Sequence, residues 1–351
     1  IGGVGPIFRA SDLGGGEESL IPSLLTLPLK VPPIFHQIEP VVSVPCCMRR
    51  LRFHPPGHLV EVTSRTIHGR LLLRPGALFN EIVVGILGRA QVLFAMEVQF
   101  VSVLSNHYHL LLLPRNHRQL SGFMAYLNGN LAKEVGRLYG WKEKVWGRRY
   151  QAIVVSDEEQ AQIDRLRYLL AQGVKEGLVA KVGDWPGPDF LGALLDGVPL
   201  QGTWFDRTQE CKARRKGLHF EARDFTTPVT LVLSPLPCWK DLSPDQHRQA
   251  VLSLVAEIDA TAAAERAASQ REPLGAAVLL QQPPHSMPAH SKKTPAPWFH
   301  AATRAALLQL EQAYSDFLGQ YRDAAKALRE GLRTIDFPAG CFPPAMPWVE
   351  A

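Results

Sequence analysis

The spacing of apolar residues between Met48 and Pro186 changes several times, and each change predicts an element. Leu59 to Thr66 (LVEVTSRT) alternates apolar and polar positions, as a strand with one buried face does, because successive side chains point to opposite sides. Pro75 to Leu93 repeats apolar residues at helical spacing, with Leu78, Ile82, Ile86 and Leu93 near one stripe. Val98 to Leu104 and Tyr108 to Leu113 read as strands joined tightly through Ser105 to His107. A long amphipathic helix follows over Arg118 to Tyr139, then a strand over Tyr150 to Val155. A last helix opens at Ser156, where Ser156 and Glu159 have the spacing of a capping box.

The order strand, helix, strand, strand, helix, strand, helix predicts an α+β domain on a ferredoxin-like split βαβ antiparallel sheet. The first two helices then cover one face and leave the other open for chemistry. Trp185 to Pro188 mark a boundary, so 48–190 is expected to be one domain and 191–351 a mostly helical accessory domain, with helices near 240–270 and 300–333. A Pro-rich linker is expected at 283–297. Residues 1–47 start with Ile and lack regular periodicity, which fits either disorder or read-through upstream of a start at Met48.

The residues richest in chemistry are His107 and His109 in SNHYHLLLLP. Two apart on a strand, both imidazoles project from one face and can share a divalent cation, although a bare His-x-His is as readily part of a polar sheet face. On the helix from Ser156, Tyr168 and Gln172 are four apart and therefore stacked. A carboxamide oxygen is a hard neutral ligand suited to Mg²⁺ or Mn²⁺, and a phenol one turn earlier would sit beside such an ion without occupying it. Taken singly, Tyr168 also reads as a half-buried core tyrosine and Gln172 as a solvated helix terminus.

Together these pieces resemble the REP-associated tyrosine transposases and their insertion-sequence relatives among the single-tyrosine HUH endonucleases. The resemblance runs from about Leu59 to Pro186 through four ordered landmarks: SNHYHLLLLP, VWGRRYQAIVVSDEE, RYLLAQGVKEGLV and DWP. It implies an HUH nuclease fold, with His107, His109 and Gln172 as metal ligands and Tyr168 as nucleophile. Many REP-associated members carry Asn-Pro where this chain has Gln172-Gly173; Gln is the ligand type of the insertion-sequence relatives. The implied activity is that of a metal-dependent transposase, which cleaves and rejoins single-stranded DNA near hairpins through a 5′-phosphotyrosine. The parts leave two rivals open: a domesticated DNA-hairpin binder without turnover, and a metal-dependent hydrolase with no covalent intermediate.

Charge supports a polyanionic partner. From Met48 to Phe190 there are 19 Lys/Arg against 12 Asp/Glu, a net +7, whereas Leu191 to the end balances 17 against 17. Arg115, Arg118, Lys133, Arg137, Lys142, Lys144, Arg148 and Arg149 fall between the His strand and the Tyr helix, interleaved with Tyr139, Trp141, Trp146 and Tyr150. Cations there can track phosphates while rings stack on unpaired bases, or the rings can belong to the core with Arg on the rim. His54, His58, His285, His290 and His300 are irregularly spaced and read as surface residues; Tyr314, Phe317 and Tyr321 read as helix-packing aromatics.

Cys46, Cys47, Cys211, Cys238 and Cys341 form no CxxC pair, which argues against a disulfide framework and a thiolate zinc site and points to reducing cytoplasm. No apolar run approaches the ~18 residues of a membrane span. A monomer and a dimer exchanging tyrosine helices are equally compatible with the sequence.

Overall fold

The computed structural model describes residues 51–288 and 297–344, and these belong to one compact unit. The expectations for residues 1–47, Met48, Cys46, Cys47, His290 and the linker over 289–296 lie outside them.

In chain order the first elements are β1 (Val60–Arg65), α1 (Ala77–Phe94), β2 (Glu97–Leu104), β3 (His107–Leu113), α2 (His117–Tyr139) and β4 (Gln151–Val155). All six were expected from periodicity, with ends displaced by one or two residues. They are followed by α3 (Glu159–Leu170), α4 (Gln172–Lys175), α5 (Phe190–Asp196), β5 (Leu200–Phe205), α6 (Arg207–Arg215) and β6 (Thr226–Leu231). The last are α7 (Pro244–Ser269), α8 (Ala276–Gln281), β7 (Phe299–His300) and α9 (Arg304–Arg329).

The main sheet has the order β2-β3-β1-β4-β7. Its first four strands are antiparallel and form the split βαβ arrangement, with β3 inserted between β1 and β2. The sheet is mixed, because β7 joins the free edge of β4 in parallel through Val154↔Phe299 and Val155↔His300. A two-residue strand so far along the chain carries no periodicity of its own, and the sequence gives no sign of it.

Alternation sorts each strand between two faces. Tyr108 and Leu110 point toward α1 and α2, where they meet Phe79, Val83, Leu87, Leu127 and Leu131. Each such buried apolar side chain contributes about 1.5–3 kcal/mol. The Tyr108 hydroxyl donates to Asn128 Oδ1 at 2.8 Å, which satisfies the one polar atom the ring carries into this core.

The opposite face departs from expectation. It is not open: α3 lies against β2, β3 and β4, and α7 packs behind α3. The capping box also does not form. α3 begins at Glu159 with Glu158 as its N-cap residue, and Ser156 Oγ donates to Glu158 Oε2 at 2.7 Å. Glu158 instead accepts from Thr303 Oγ1 at 2.6 Å and from the amide of Ala302 at 2.8 Å, tying the start of α9 to the start of α3. These bonds hold its carboxyl down to about 2.

α1 differs from the single-stripe helix expected. Leu78 and Leu93 are exposed, while apolar residues are buried around most of its circumference. The cause is a second partner: the β5–β6 hairpin crosses its outer side. By length and composition α1 could cross a membrane, but half of it is buried within this packing. Gly85 and Gly88 make the crossing possible, because a Cβ at Gly85 would collide with the Thr203 carbonyl and one at Gly88 with the Thr230 carbonyl. Gln91 closes the contact, accepting from Val232 N at 2.9 Å and donating to Val232 O at 2.8 Å. In the C-terminal segment, Tyr314 and Phe317 pack on Phe53 with ring centroids 5.7 and 5.2 Å away.

Two substitutions separate the hairpin crossing from helix propensity. Gly85→Ala should destabilise the protein by about 1–3 kcal/mol in urea unfolding, since overpacking outweighs the gain of replacing a helical glycine. Gly129→Ala on α2, where a Cβ meets open space, should stabilise by up to about 1 kcal/mol. Equal stabilisation at both positions would contradict the close crossing.

Candidate active site

On β3, His107 and His109 project from the face that carries α3, with ring centroids 5.0 Å apart. Each imidazole is held through Nδ1. Asn106 Nδ2 donates to the Gly69 carbonyl at 3.3 Å, which turns Asn106 Oδ1 toward His107 Nδ1 at 2.6 Å. His109 Nδ1 lies 2.7 Å from Glu61 Oε1 and 3.0 Å from Thr63 Oγ1, both on the same face of neighbouring β1. A carboxylate and an amide oxygen can only accept, so both rings take the Nδ1–H tautomer and keep the Nε2 lone pair available.

Burial favours neutral rings. His107 is pushed down to about 3 by burial, then by His109 and Arg65, against a hydrogen bond with Gln172 that opposes the shift. His109 is pushed down to about 4 by burial and then by Lys175. The Glu61 carboxylate at His109 is also paired with the guanidinium of Arg165. Neutral imidazoles with free Nε2 atoms are the form that binds a metal.

The second half of the site comes from α3 and α4. These meet at Ala171, whose backbone (φ −73°, ψ −9°) carries the turn onward, so Tyr168 and Gln172 remain one turn apart despite the break. Gln172 is only 3% exposed, and its Nε2 donates to the Tyr168 carbonyl at 2.9 Å. That bond uses one N–H of the amide, and the same side chain is within hydrogen-bond reach of His107. The Tyr168 ring stands edge-on to His109, with centroids 5.8 Å apart. Half-buried, it has the Arg165 guanidinium 4.6 Å and Lys175 Nζ 4.7 Å from its centroid.

The donor set fits a divalent cation. Among the described residues no group of three His, Cys, Asp or Glu side chains could hold one, so the histidine pair needs its third protein ligand from another residue type. Gln172 Oε1 could serve as that ligand. Two imidazoles and one amide oxygen, all neutral, suit Mg²⁺ or Mn²⁺ that keeps water and substrate oxygens in its remaining positions.

The eight basic residues singled out in the sequence are all exposed but not gathered at one point. Arg115 and Arg118 flank the start of α2, Lys133 and Arg137 lie along it, and Lys142 and Lys144 follow its end. Arg137 is 3.6 Å from Glu210. Arg148 and Arg149 join Arg52, Asn128, Trp146 and Tyr150 around an open groove of about 320 Å³. Gly147 N donates to Arg65 O at 3.0 Å, which sets this loop at the His107 end of the sheet. Trp146 is tied inward, its indole donating to Asn128 O at 2.8 Å and its ring meeting Tyr108. Of the other histidines, His54 is half-buried and lowered to about 4 by burial, which corrects its reading as a surface residue.

Glu61, Thr63, Arg165 and Lys175 were not anticipated. Arg165 and Lys175 share the helical face of Tyr168 by spacing, three residues before it and seven after. Glu61 and Thr63 alternate on one face of β1, but only the register with β3 brings them to His109.

A family model described as "Transposase IS200 like" matches residues 79–170, which contain β3, both histidines and Tyr168 but end before Gln172. No curated protein gives a significant match. Among solved structures, a REP-associated tyrosine transposase bound to a REP hairpin is 18% identical, covering 40% of this chain and 81% of that one at a TM-score of 0.34. A Deinococcus radiodurans R1 protein provisionally described as a transposase is 19% identical, covering 34% of this chain and 95% of that one at a TM-score of 0.25. The stretch 79–170, about a quarter of the chain, is thus similar in sequence to the IS200-like transposases.

Proposed function

We propose that the protein is a metal-dependent DNA transposase that cleaves and rejoins single-stranded DNA near hairpins, with Tyr168 as the covalent nucleophile. The observation that carries this reading is the convergence of His107 and His109 from one strand with Gln172 and Tyr168 from one helical stretch. His107, His109 and Gln172 would hold Mg²⁺ or Mn²⁺, which supplies charge withdrawal from a non-bridging phosphate oxygen. Tyr168 is left outside that ligand set, beside His109 and open to solvent on one side, as an attacking oxygen must be.

In the proposed step the phenolic oxygen of Tyr168 bonds to phosphorus while the P–O3′ bond breaks and the 3′-oxygen leaves as a hydroxyl. The phosphotyrosine conserves the bond, so a 3′-hydroxyl from another strand can reverse the step without ATP. Residues 48–190 form the catalytic domain in this reading, and 191–351 an accessory region that buttresses α1 and α3. The exposed cations track the phosphates of single-stranded or hairpin DNA, and the reaction belongs to the cytoplasm.

The test is a covalent adduct assay with a pool of labelled oligonucleotides, each with a hairpin beside a randomised single-stranded segment. The wild type should form a Mn²⁺-dependent adduct that survives denaturing gels, and Tyr168→Phe none. Absence of any wild-type adduct would favour a hairpin binder, and cleavage retained by Tyr168→Phe a hydrolase that activates water. For binding, the doubly substituted Arg148→Gln/Arg149→Gln protein should weaken DNA affinity across sequences. The slope of log affinity against log salt should fall by about 1.4, at about 0.7 per single-strand phosphate contact. An unchanged slope would remove the groove from the DNA path.

A further inference from the structure

Tyr168 is linked to the metal-binding strand by a second route that uses neither histidine nitrogen needed for a cation. Glu61, 1% exposed on β1, accepts from His109 Nδ1 with one carboxylate oxygen and pairs with the Arg165 guanidinium through the other. Arg165 is itself buried on α3, three residues before Tyr168, and its guanidinium carbon lies 4.6 Å from the centroid of the Tyr168 ring. One planar cation therefore touches both the carboxylate that orients a candidate ligand and the ring of the candidate nucleophile. Burial lowers the guanidinium only to about 10, so it stays charged at neutral pH.

We propose that Arg165 is the positioning residue of the nucleophile: it fixes the Tyr168 ring relative to His109 by stacking on the ring while anchored to Glu61. The inference rests on the reading of Tyr168 as nucleophile. A guanidinium can satisfy both contacts because it is flat and forked; an ammonium in its place keeps the charge but has no plane to lay on the ring. The other cation near the ring among the described residues, Lys175, is exposed, and a flexible ammonium holds a ring less firmly than a buried guanidinium. Small errors in the placement of an attacking atom lower rates by about 10- to 100-fold without weakening substrate binding.

Arg165→Lys is the discriminating variant, since it retains a cation for Glu61 and removes the plane. A second variant, Glu61→Gln/Arg165→Met, removes both charges together and so leaves no lone buried ion to unfold the protein. The measurements are single-turnover adduct formation on an oligonucleotide selected with the wild type, half-saturating DNA and Mn²⁺ concentrations, and thermal unfolding. ¹⁹F NMR of full-length protein carrying 3-fluorotyrosine adds a readout that needs no activity, with the Tyr168 signal assigned through Tyr168→Phe.

In Arg165→Lys the maximal adduct rate should fall at least about tenfold. Half-saturating concentrations should stay within about twofold of wild type, and the Tyr168 fluorine signal should shift and broaden as the ring gains freedom. The double variant should lose adduct rate and shift the Tyr168 fluorine signal alike, with an unchanged unfolding midpoint; its Mn²⁺ half-saturation is expected to rise because Glu61 also orients His109. Wild-type rate and an unaltered signal in Arg165→Lys would overturn the proposal and leave Arg165 as an ordinary buried ion-pair partner. Failure of the wild type to form any adduct would instead sink the nucleophile reading, and this one with it.

Discussion

The site depends first on the register of β3 between β1 and β2. Strand alternation sends His107 and His109 to one face together, and pairing with β1 brings Glu61 and Thr63 to the same face beside them. A slip of one residue would turn the imidazoles into the apolar layer under α1 and α2 and send Tyr108 and Leu110 out of it. Burial of Tyr108 and Leu110 on one face, opposite the polar His107 and His109, makes that slip expensive, so the hydrophobic core fixes the orientation of the polar residues. The chemistry is thus specified by packing on the face where no chemistry takes place.

From that register the remaining order follows in layers. Hydrogen bonds at Nδ1 turn Nε2 of each imidazole toward the site, burial favours neutral rings, and the α3–α4 turn brings the buried Gln172 amide to His107. α7 backs α3, with Arg167 paired to Glu257 at 2.8 Å, so the helix that carries Tyr168 is held between the sheet and a helix from the C-terminal half. Glu158 ties α9 to the start of the same helix. Segments after residue 191 therefore bear directly on how rigidly Tyr168 is presented.

Much of this was legible in the residues. Period-two and period-3.6 patterns over β1 to β4 gave the split sheet, and the His-x-His and Tyr-x₃-Gln spacings marked four side chains that the fold does gather. What escaped was everything set by contacts distant in sequence. α1 reads as a helix with one buried stripe, and only the β5–β6 hairpin across Gly85 and Gly88 explains its all-round apolar character. Ser156 and Glu159 have capping-box spacing, yet the Ser156 hydroxyl goes to Glu158, which Thr303, 145 residues away, also holds, and the box does not form. Glu61 and Arg165 look like unrelated charges in an alternating strand and an amphipathic helix until the fold buries them against each other.

The most direct measurement is the position of a bound cation. A crystal of the full chain soaked in Mn²⁺ should give one anomalous-scattering peak bounded by His107 Nε2, His109 Nε2 and Gln172 Oε1, with the Tyr168 hydroxyl outside the coordination shell. A peak held through Glu61 or the Nδ1 atoms, or one directly ligated by Tyr168, would contradict the account.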